Sequence, residues 1–192
     1  MDLTDTTTII IVVVILLIVV GLLAAAFSRF RRSKRLRDQF GPEYDRTVDQ
    51  IGDKRRAEEE LEARLEHVQN LNIRALSAEE INRFAMEWQE TQTEFVDRPL
   101  GAVQRANQLI REVMAARGYP VEDFEQRAAD ISVDYPDVVT NYRELHEIAT
   151  KGEREKISPE EMRQAMVAGR ELFERLVQSE TSVENVNQKE RI

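Results

Sequence analysis

The sequence predicts an all-α protein in which one N-terminal transmembrane helix precedes a compact bundle of about five to seven helices. Three observations favour this fold class. A charge-free apolar run occupies residues 8–27, which is long enough for a membrane helix. Beyond it, apolar residues recur at spacings of three and four, which indicates helices and not strands. Glycine, proline and Ser-x-x-Glu sequences divide that region into helical segments.

The first element is the apolar run TIIIVVVILLIVVGLLAAAF, residues 8–27. A helix rises about 1.5 Å per residue, so about twenty apolar residues match a hydrocarbon core of about 30 Å. A cleaved signal peptide is the alternative, because Ala24-Ala25-Ala26 resembles a cleavage site. A signal peptide, however, begins with basic residues and has a shorter apolar run, whereas Asp2 and Asp5 precede this one. The pattern favours an anchor, with an exported helical protein as the alternative.

Orientation follows from the charges that flank the run. Six cations lie within nine residues after it, without an acid among them: Arg29, Arg31, Arg32, Lys34, Arg35 and Arg37. Lys and Arg stay on the cytoplasmic side, so residues 1–7 are expected outside and the chain after Phe27 in the cytoplasm. The same cations can attract anionic lipid headgroups. They are therefore predicted to be membrane-surface residues that set topology, bind lipid, or do both.

Composition limits the function classes of the remaining chain. The net charge is −9 although the basic cluster is included, so the part that follows the cluster is strongly acidic. Acidic surfaces are repelled by phosphates, which argues against a nucleic-acid partner. The chain has no cysteine, which excludes disulfides, thiolate catalysis and Cys-ligated metals. The length after the cluster suffices for one domain with its own core.

The anchor helix is predicted to continue through a basic juxtamembrane extension, residues 28–41, and to end before Pro42, which disfavours helix at the preceding residue. An acidic helical domain then covers residues 42–178. Its first helices are expected at 43–51 and 54–71, and the acidic run 58–60 is predicted to be a solvated face. A coiled coil is disfavoured, because it needs three or four apolar heptads.

The later helices are predicted from their ends. Ser77-Ala78-Glu79-Glu80 is a capping box, and the helix that it begins ends before Pro99 and is expected to bury Trp88. Pro99 fits the first turn of the next helix, which ends at Gly118.

Two short helices follow, the first closed before Pro136 and the second at Gly152. Ser158-Pro159-Glu160-Glu161 repeats the capping signature and begins the last helix, which extends to Gln178. Gly169, within it, is expected to allow a close approach by a neighbouring helix. The polar residues 179–192 are predicted to be a disordered tail.

No residue pattern assigns a catalytic group, a cofactor or a metal ligand, and the protein is predicted not to be an enzyme. His146-Glu147 begins the zinc-protease pattern H-E-x-x-H, but Thr150 stands where the second His is required. The acidic segment 122–137 is the other candidate, since Asp130 and Asp134 share a helical face. The alternative hypothesis is therefore a metal-dependent enzyme that uses residues 122–137 with Tyr142 and His146. Otherwise Asp130 is expected to pair with Arg127, while Asp134 and Asp137 cap helices.

Three segments carry a resemblance. They are FGPEYDRT at 40–47, RGYPxxDFEQRAAD at 117–130 and SVDxPxVVxNYR at 132–143. In these segments the chain resembles a group of bacterial membrane-anchored helical proteins of uncharacterised function. The resemblance implies a protein of the bacterial inner (cytoplasmic) membrane, and the group offers no activity to transfer.

Together these features predict a single-pass protein that presents an acidic helical domain to the cytoplasm. Its expected role is protein–protein interaction as a scaffold or adaptor. The expected partners are the lipid bilayer and either an unidentified protein or a second copy of the chain.

Overall fold

Eight α-helices form the regular structure of residues 3–152 and 155–178, which this computed structural model describes, and no strand occurs among these residues. The helices are α1 (Leu3–Phe40), α2 (Pro42–Ile51), α3 (Lys54–Gln69), α4 (Ala78–Glu94), α5 (Pro99–Arg117), α6 (Phe124–Asp134), α7 (Val139–Lys151) and α8 (Pro159–Gln178). The predicted all-α class is therefore confirmed. The predicted tail, residues 179–192, lies outside the described residues.

Local sequence chemistry sets the helix ends. Ser77 and Glu80 form the predicted capping box, in which the Glu80 amide donates to Ser77 Oγ at 3.2 Å and the Ser77 amide donates to Glu80 Oε2 at 2.8 Å. The same pair of bonds joins Ser158 and Glu161. Gly118 ends α5 in the left-handed region at φ 98°, which favours glycine.

Helix α1 is continuous from Leu3 to Phe40. Its large apolar side chains between residues 15 and 30 are 45–68% exposed. Among the described residues, no helix is sufficiently long and apolar to cross a membrane. The predicted span, residues 8–27, lies partly outside that set, because side chains are described only from residue 15 onward and not for Ala25.

The last turns of α1 pack with α2 and α3 into a three-helix unit, residues 32–69, here called the neck. Its core consists of Leu36, Phe40, Tyr44 and Leu61, each at most 1% exposed. Gly41, at φ 49°, reverses the chain between α1 and α2. The short Gly52-Asp53 connection reverses it again, so α3 runs parallel to α1 and α2 runs antiparallel to both.

Helices α4 to α8 form the second unit, here called the body. Helix α5 lies at its centre and contributes eight buried residues, from Ala102 to Arg117. Trp88 is 6% exposed and stacks on Phe173 with 4.6 Å between ring centroids, which confirms its predicted burial. A Cβ atom on Gly169 would lie 2.9 Å from Leu145, so this glycine allows the close approach of α7 and α8.

Helix α6 connects the two units. Its Ala128 and Ile131 belong to the body core, whereas Val133 packs against the apolar cluster of the neck. Helix α6 therefore fixes the neck and the body relative to each other.

Candidate functional site

The junction of neck and body contains a buried carboxylate that contacts three guanidinium groups. Glu43, on α2, is 1% exposed, and its Oε1 atom accepts from Arg143 Nη2 at 2.9 Å and from Arg46 Nη1 at 3.2 Å. Arg64 Nη1, on α3, lies 3.6 Å from the same oxygen. Because removing one partner of a buried ion pair leaves an uncompensated charge, this cluster strongly couples α2, α3 and α7.

The three segments that carry the resemblance meet near this junction. Glu43 and Arg143 come from the first and the third segment, and Arg127 Nε, from the second, donates to the Tyr142 hydroxyl at 3.0 Å.

The Tyr119 hydroxyl donates to an Asp134 carboxylate oxygen at 2.5 Å. Burial raises the pKa of both Tyr142 and Tyr119, and the Asp134 carboxylate raises that of Tyr119 further. Both hydroxyls therefore stay protonated at neutral pH and act as structural hydrogen-bonding groups.

The acidic segment 122–137 does not converge on one point. Each of five carboxylates has its own partner: Asp123 the Gln126 amide, Glu125 the Arg143 guanidinium, Asp130 the Gln126 side chain, Asp134 the Tyr119 hydroxyl and Asp137 the Arg175 guanidinium. Within the described part of the chain, no group of three acidic or histidine side chains is placed to hold a metal ion. This geometry gives no support to the metal-dependent alternative.

Asp130 differs from the other carboxylates because it is fully buried. Its Oδ1 accepts from Gln126 Nε2 at 2.8 Å and lies 3.6 Å from His67 Nε2. Burial raises the pKa of Asp130 above its usual value, against the opposing effects of the Gln126 hydrogen bond and the His67 charge. The expected pair with Arg127 does not form, because that guanidinium donates to Tyr142 instead. The cause is tertiary, since Tyr142 on α7 competes for a donor that helical spacing alone assigns to Asp130.

His146 is a packing residue in this structure. Its ring stacks on Phe124 with 3.6 Å between centroids and 12° between planes. Burial and the nearby Arg127 charge lower its pKa, so the imidazole is neutral at pH 7. The Thr150 hydroxyl, at the position of the missing second histidine, donates to the His146 carbonyl at 2.8 Å. Position 150 therefore supplies no second histidine for a metal site.

The six membrane-surface cations fall into two groups. Arg32 and Arg35 pair with Glu62 on α3, at 2.7 and 3.3 Å, and Arg37 pairs with Asp45 on α2 at 2.9 Å. The other three are exposed and have no carboxylate partner among the described residues: Arg29, Arg31 and Lys34. Sequence reasoning treated all six alike, because their acidic partners lie on other helices.

Glu58 is a residue whose role the sequence did not indicate. The run 58–60 was predicted to be solvated, and Glu59 and Glu60 are exposed, but Glu58 is only 8% exposed. Its Oε1 accepts from Ser33 Oγ at 2.5 Å and from the Tyr44 hydroxyl at 2.8 Å. Burial raises its pKa, but the two hydrogen bonds and the Lys54 and Arg32 charges outweigh burial and leave the pKa lowered. The prediction is wrong for Glu58, because α3 turns this residue towards α1.

A cleft of about 560 Å³ opens between α3 and the end of α6, and its walls include Leu65, Leu71, Ile73 and Tyr135. A second cleft of about 420 Å³ continues along α3 and α1 and shares Leu65 and Gln69 with the first. Together they form one groove, here called the α3 groove, in which apolar side chains are mixed with polar and charged ones. Such a surface suits binding of a polypeptide segment better than chemistry on a small molecule.

Comparison with models of known protein families, with curated proteins and with solved structures gave no match. The geometry of the described residues is therefore what bears on function.

Proposed function

We propose that the chain is a single-pass protein of the bacterial inner membrane that presents its acidic helical body to the cytoplasm for protein–protein contact. The observation that carries this proposal is the continuity of α1 from Leu3 to Phe40. One part of this helix exposes large apolar side chains, and its last turns are buried in the neck. Exposed apolar surface is unfavourable in water by about 25 cal/mol per Å², and a bilayer removes that cost.

The helix also makes the connection between anchor and neck stiff. Leu36, the first fully buried residue of α1, lies nine positions after Phe27, about 14 Å along a helix axis. The helix is unbroken in this interval, so no flexible linker intervenes. A stiff connection gives the body a defined height and orientation at the membrane, which suits a scaffold or adaptor.

Contact with a protein fits the surface better than catalysis does. Glu43 Oε1 bonds to Arg143, Arg127 bonds to Tyr142, and five carboxylates of segment 122–137 have protein partners. The α3 groove places apolar side chains, such as Leu65 and Ile73, beside polar ones, such as Gln39 and Gln69. Interfaces commonly combine an apolar centre with a polar edge of this kind.

Topology is tested on the full chain. A phosphatase that is active only outside the cytoplasm, fused after Ile192, should be inactive, and a fluorescent protein that matures in the cytoplasm should fluoresce at the same position. The chain should also remain with the membrane after alkaline carbonate extraction. Release by carbonate, or the opposite pair of fusion results, would overturn the proposal.

The contact role is tested by photocrosslinking in intact cells. A photoreactive amino acid replaces Gln69, which lines the α3 groove, or Val96, which is 83% exposed on the α4–α5 connection. A discrete adduct is expected from position 69, and its mass distinguishes a second copy of this chain from another protein. No adduct at position 69, or the same adducts from both positions, contradicts a partner at the groove.

A further inference from the structure

We propose that the connection between α2 and α3 lies against the membrane and that its cations Lys54, Arg55 and Arg56 bind anionic phospholipid headgroups. Residues 51–56 are here called the neck turn. This inference rests on the proposed anchor. It adds a second contact with the bilayer at Lys54, which lies 27 residues after Phe27 in the sequence. The sequence alone places these cations at the start of an ordinary helix.

The first step is the register of α3 against α1. Ser33 Oγ lies 2.5 Å from Glu58 Oε1, and these residues are 25 positions apart. Two positions further along α1, Arg35 Nη2 lies 3.3 Å from Glu62 Oε1, at a separation of 27. Both contacts advance in the same direction, so the two helices run parallel. Glu62 is also reached by Arg32, at 2.7 Å, so the long arginine side chains do not fix the register, whereas the short Ser33 side chain places Glu58 beside residue 33.

The second step extends this register to the start of α3. Lys54 lies one helical turn before Glu58, which brings it to the level of residues 28 and 29 on α1. Arg55 and Arg56 lie beside the next residues. The headgroup layer on each side of a bilayer is roughly 5–7 Å thick, or about four residues of helix. If the apolar run ends at the hydrocarbon boundary, the neck turn therefore lies within the headgroup layer.

The third step concerns charge and exposure. The side chains of Lys54 and Arg55 are 61% and 81% exposed, and their pairs with Glu58 and Glu59 are long, at 3.8 Å each. Exposed pairs of this kind contribute little, so phosphate groups can compete for both cations. Asp53, the acid of the turn, accepts from the Arg56 amide at 2.9 Å as the cap of α3.

The fourth step is the division of the α1 cations. Arg32, Arg35 and Arg37 have closer carboxylate partners within the neck, at 2.7–3.3 Å, than Lys54 and Arg55 have, so they are less available to lipid. The cations with long ion pairs, or with no carboxylate partner among the described residues, lie near one level on two neighbouring helices: Arg29, Arg31 and Lys34 on α1, and Lys54, Arg55 and Arg56 on α3. Cations at this level attract an anionic leaflet, whereas the acidic body is attached at the far end of the neck through Glu43 and His67.

The test uses the full chain in nanodiscs, and the absence of native cysteine permits single-site fluorophores. Fluorophores are attached at three positions: Leu22→Cys on α1, Gln50→Cys beside the neck turn, and Val96→Cys on the body. Quenching is measured with nitroxide lipids labelled on the acyl chain or on the headgroup, in phosphatidylcholine with and without phosphatidylglycerol. We expect headgroup nitroxides to quench the fluorophore at position 50, and to quench it more strongly in anionic discs than in neutral discs. The fluorophore at position 96 should not be quenched in either kind of disc.

A triple variant, Lys54→Gln, Arg55→Gln and Arg56→Gln, should lower quenching at position 50 in anionic discs to the level of neutral discs. The matched control changes three exposed cations of the body that also pair with nearby glutamates, Arg98→Gln, Arg163→Gln and Arg170→Gln. It removes the same charge and should leave quenching unchanged.

Two failures are distinguishable. If acyl-chain nitroxides quench position 22 while position 50 is as unquenched as position 96, the anchor holds and the neck-turn contact is wrong. The neck-turn contact is also wrong if quenching at position 50 is the same with and without phosphatidylglycerol, or if the two triple variants quench position 50 equally. If position 22 is unquenched as well, the proposed anchor itself fails.

Discussion

Glu58 and Glu59 are neighbours of the same residue type, yet only Glu58 lies in the interior, where it accepts hydrogen bonds from Ser33 and Tyr44. Glu43, at the junction of neck and body, is likewise a buried carboxylate that pairs with a residue on another helix. Burial of a charged group is unfavourable unless it is paired and hydrogen-bonded. At the scale of single residues, charge therefore serves two purposes in this chain, as a buried link between helices and as an exposed surface.

His146 gives a pH-dependent prediction at this scale. Because its pKa is lowered in the folded protein, the unfolded chain takes up a proton first as the pH falls through about 6.5. Stability should therefore fall on acidification and level off below the folded-state pKa, with a slope of at most about 1.4 kcal/mol per pH unit for one proton. His146→Phe keeps the stacking on Phe124 and removes the titration.

Urea unfolding between pH 7.5 and 5.5 measures this effect. The variant should lose less stability over that interval than the wild type, while His67 remains in both proteins. An identical decline in the two proteins would show that His146 is not responsible.

At the scale of elements, the helix ends depend on glycines in the left-handed region. Gly52 and Gly118 end α2 and α5 at φ 73° and 98°. Their surroundings differ, because a Cβ at position 118 would lie 2.5 Å from the Asn72 carbonyl oxygen, whereas a Cβ at position 52 has no atom within 4 Å. Gly118 thus ends a helix and also permits the connection between α3 and α4 to pass close by.

This difference predicts unequal effects of one substitution. Gly52→Ala should cost roughly 1–2 kcal/mol, the strain of a left-handed conformation alone. Gly118→Ala has the same strain and adds a backbone clash, so it should lower the free energy of unfolding by clearly more. Urea midpoints followed by circular dichroism compare the two, and equal losses would contradict the close approach at Asn72.

At the scale of the whole molecule, the neck and the body have separate cores, connected by α6 and by the Glu43 cluster. The predicted domain starts at residue 42, but Leu36 and Phe40 are fully buried in the neck. The packed unit therefore includes the end of α1. Charge is distributed in the same way, with exposed cations at one end of the neck and the acidic body attached at the other.

Two shortened chains, residues 29–192 and 42–192, test this organisation. The sequence predicts that the shorter chain is strongly helical and needs no detergent, and the packing adds that it should melt at a lower temperature. Removing two buried side chains costs several kcal/mol by the scale of core truncations, about 2–5 kcal/mol each.

Trp88 serves as an internal control, because it lies in the body core and stacks on Phe173. Its fluorescence should be blue-shifted and poorly quenched by iodide in both shortened chains. Equal melting temperatures would mean that the neck does not depend on α1.

The amino-acid sequence by itself determined the helices and their ends. Capping boxes at Ser77 and Ser158, the break at Gly41-Pro42 and the end at Gly118 depend on residues within a few positions of one another. Apolar spacing also located buried residues such as Trp88. Such features could be predicted because their physical causes are local.

Only the tertiary structure decided which charges are buried and which remain at the surface. Arg32, Glu43, Glu58 and Asp130 each have a partner on another helix, and one of these pairs, Glu43 with Arg143, spans 100 positions. The position of the neck turn along α1 likewise depends on the chain reversals at Gly41 and at Gly52-Asp53 and on the packing of α3 against α1. Pairing over such separations depends on how whole helices pack, and no short-range spacing in the sequence encodes that arrangement.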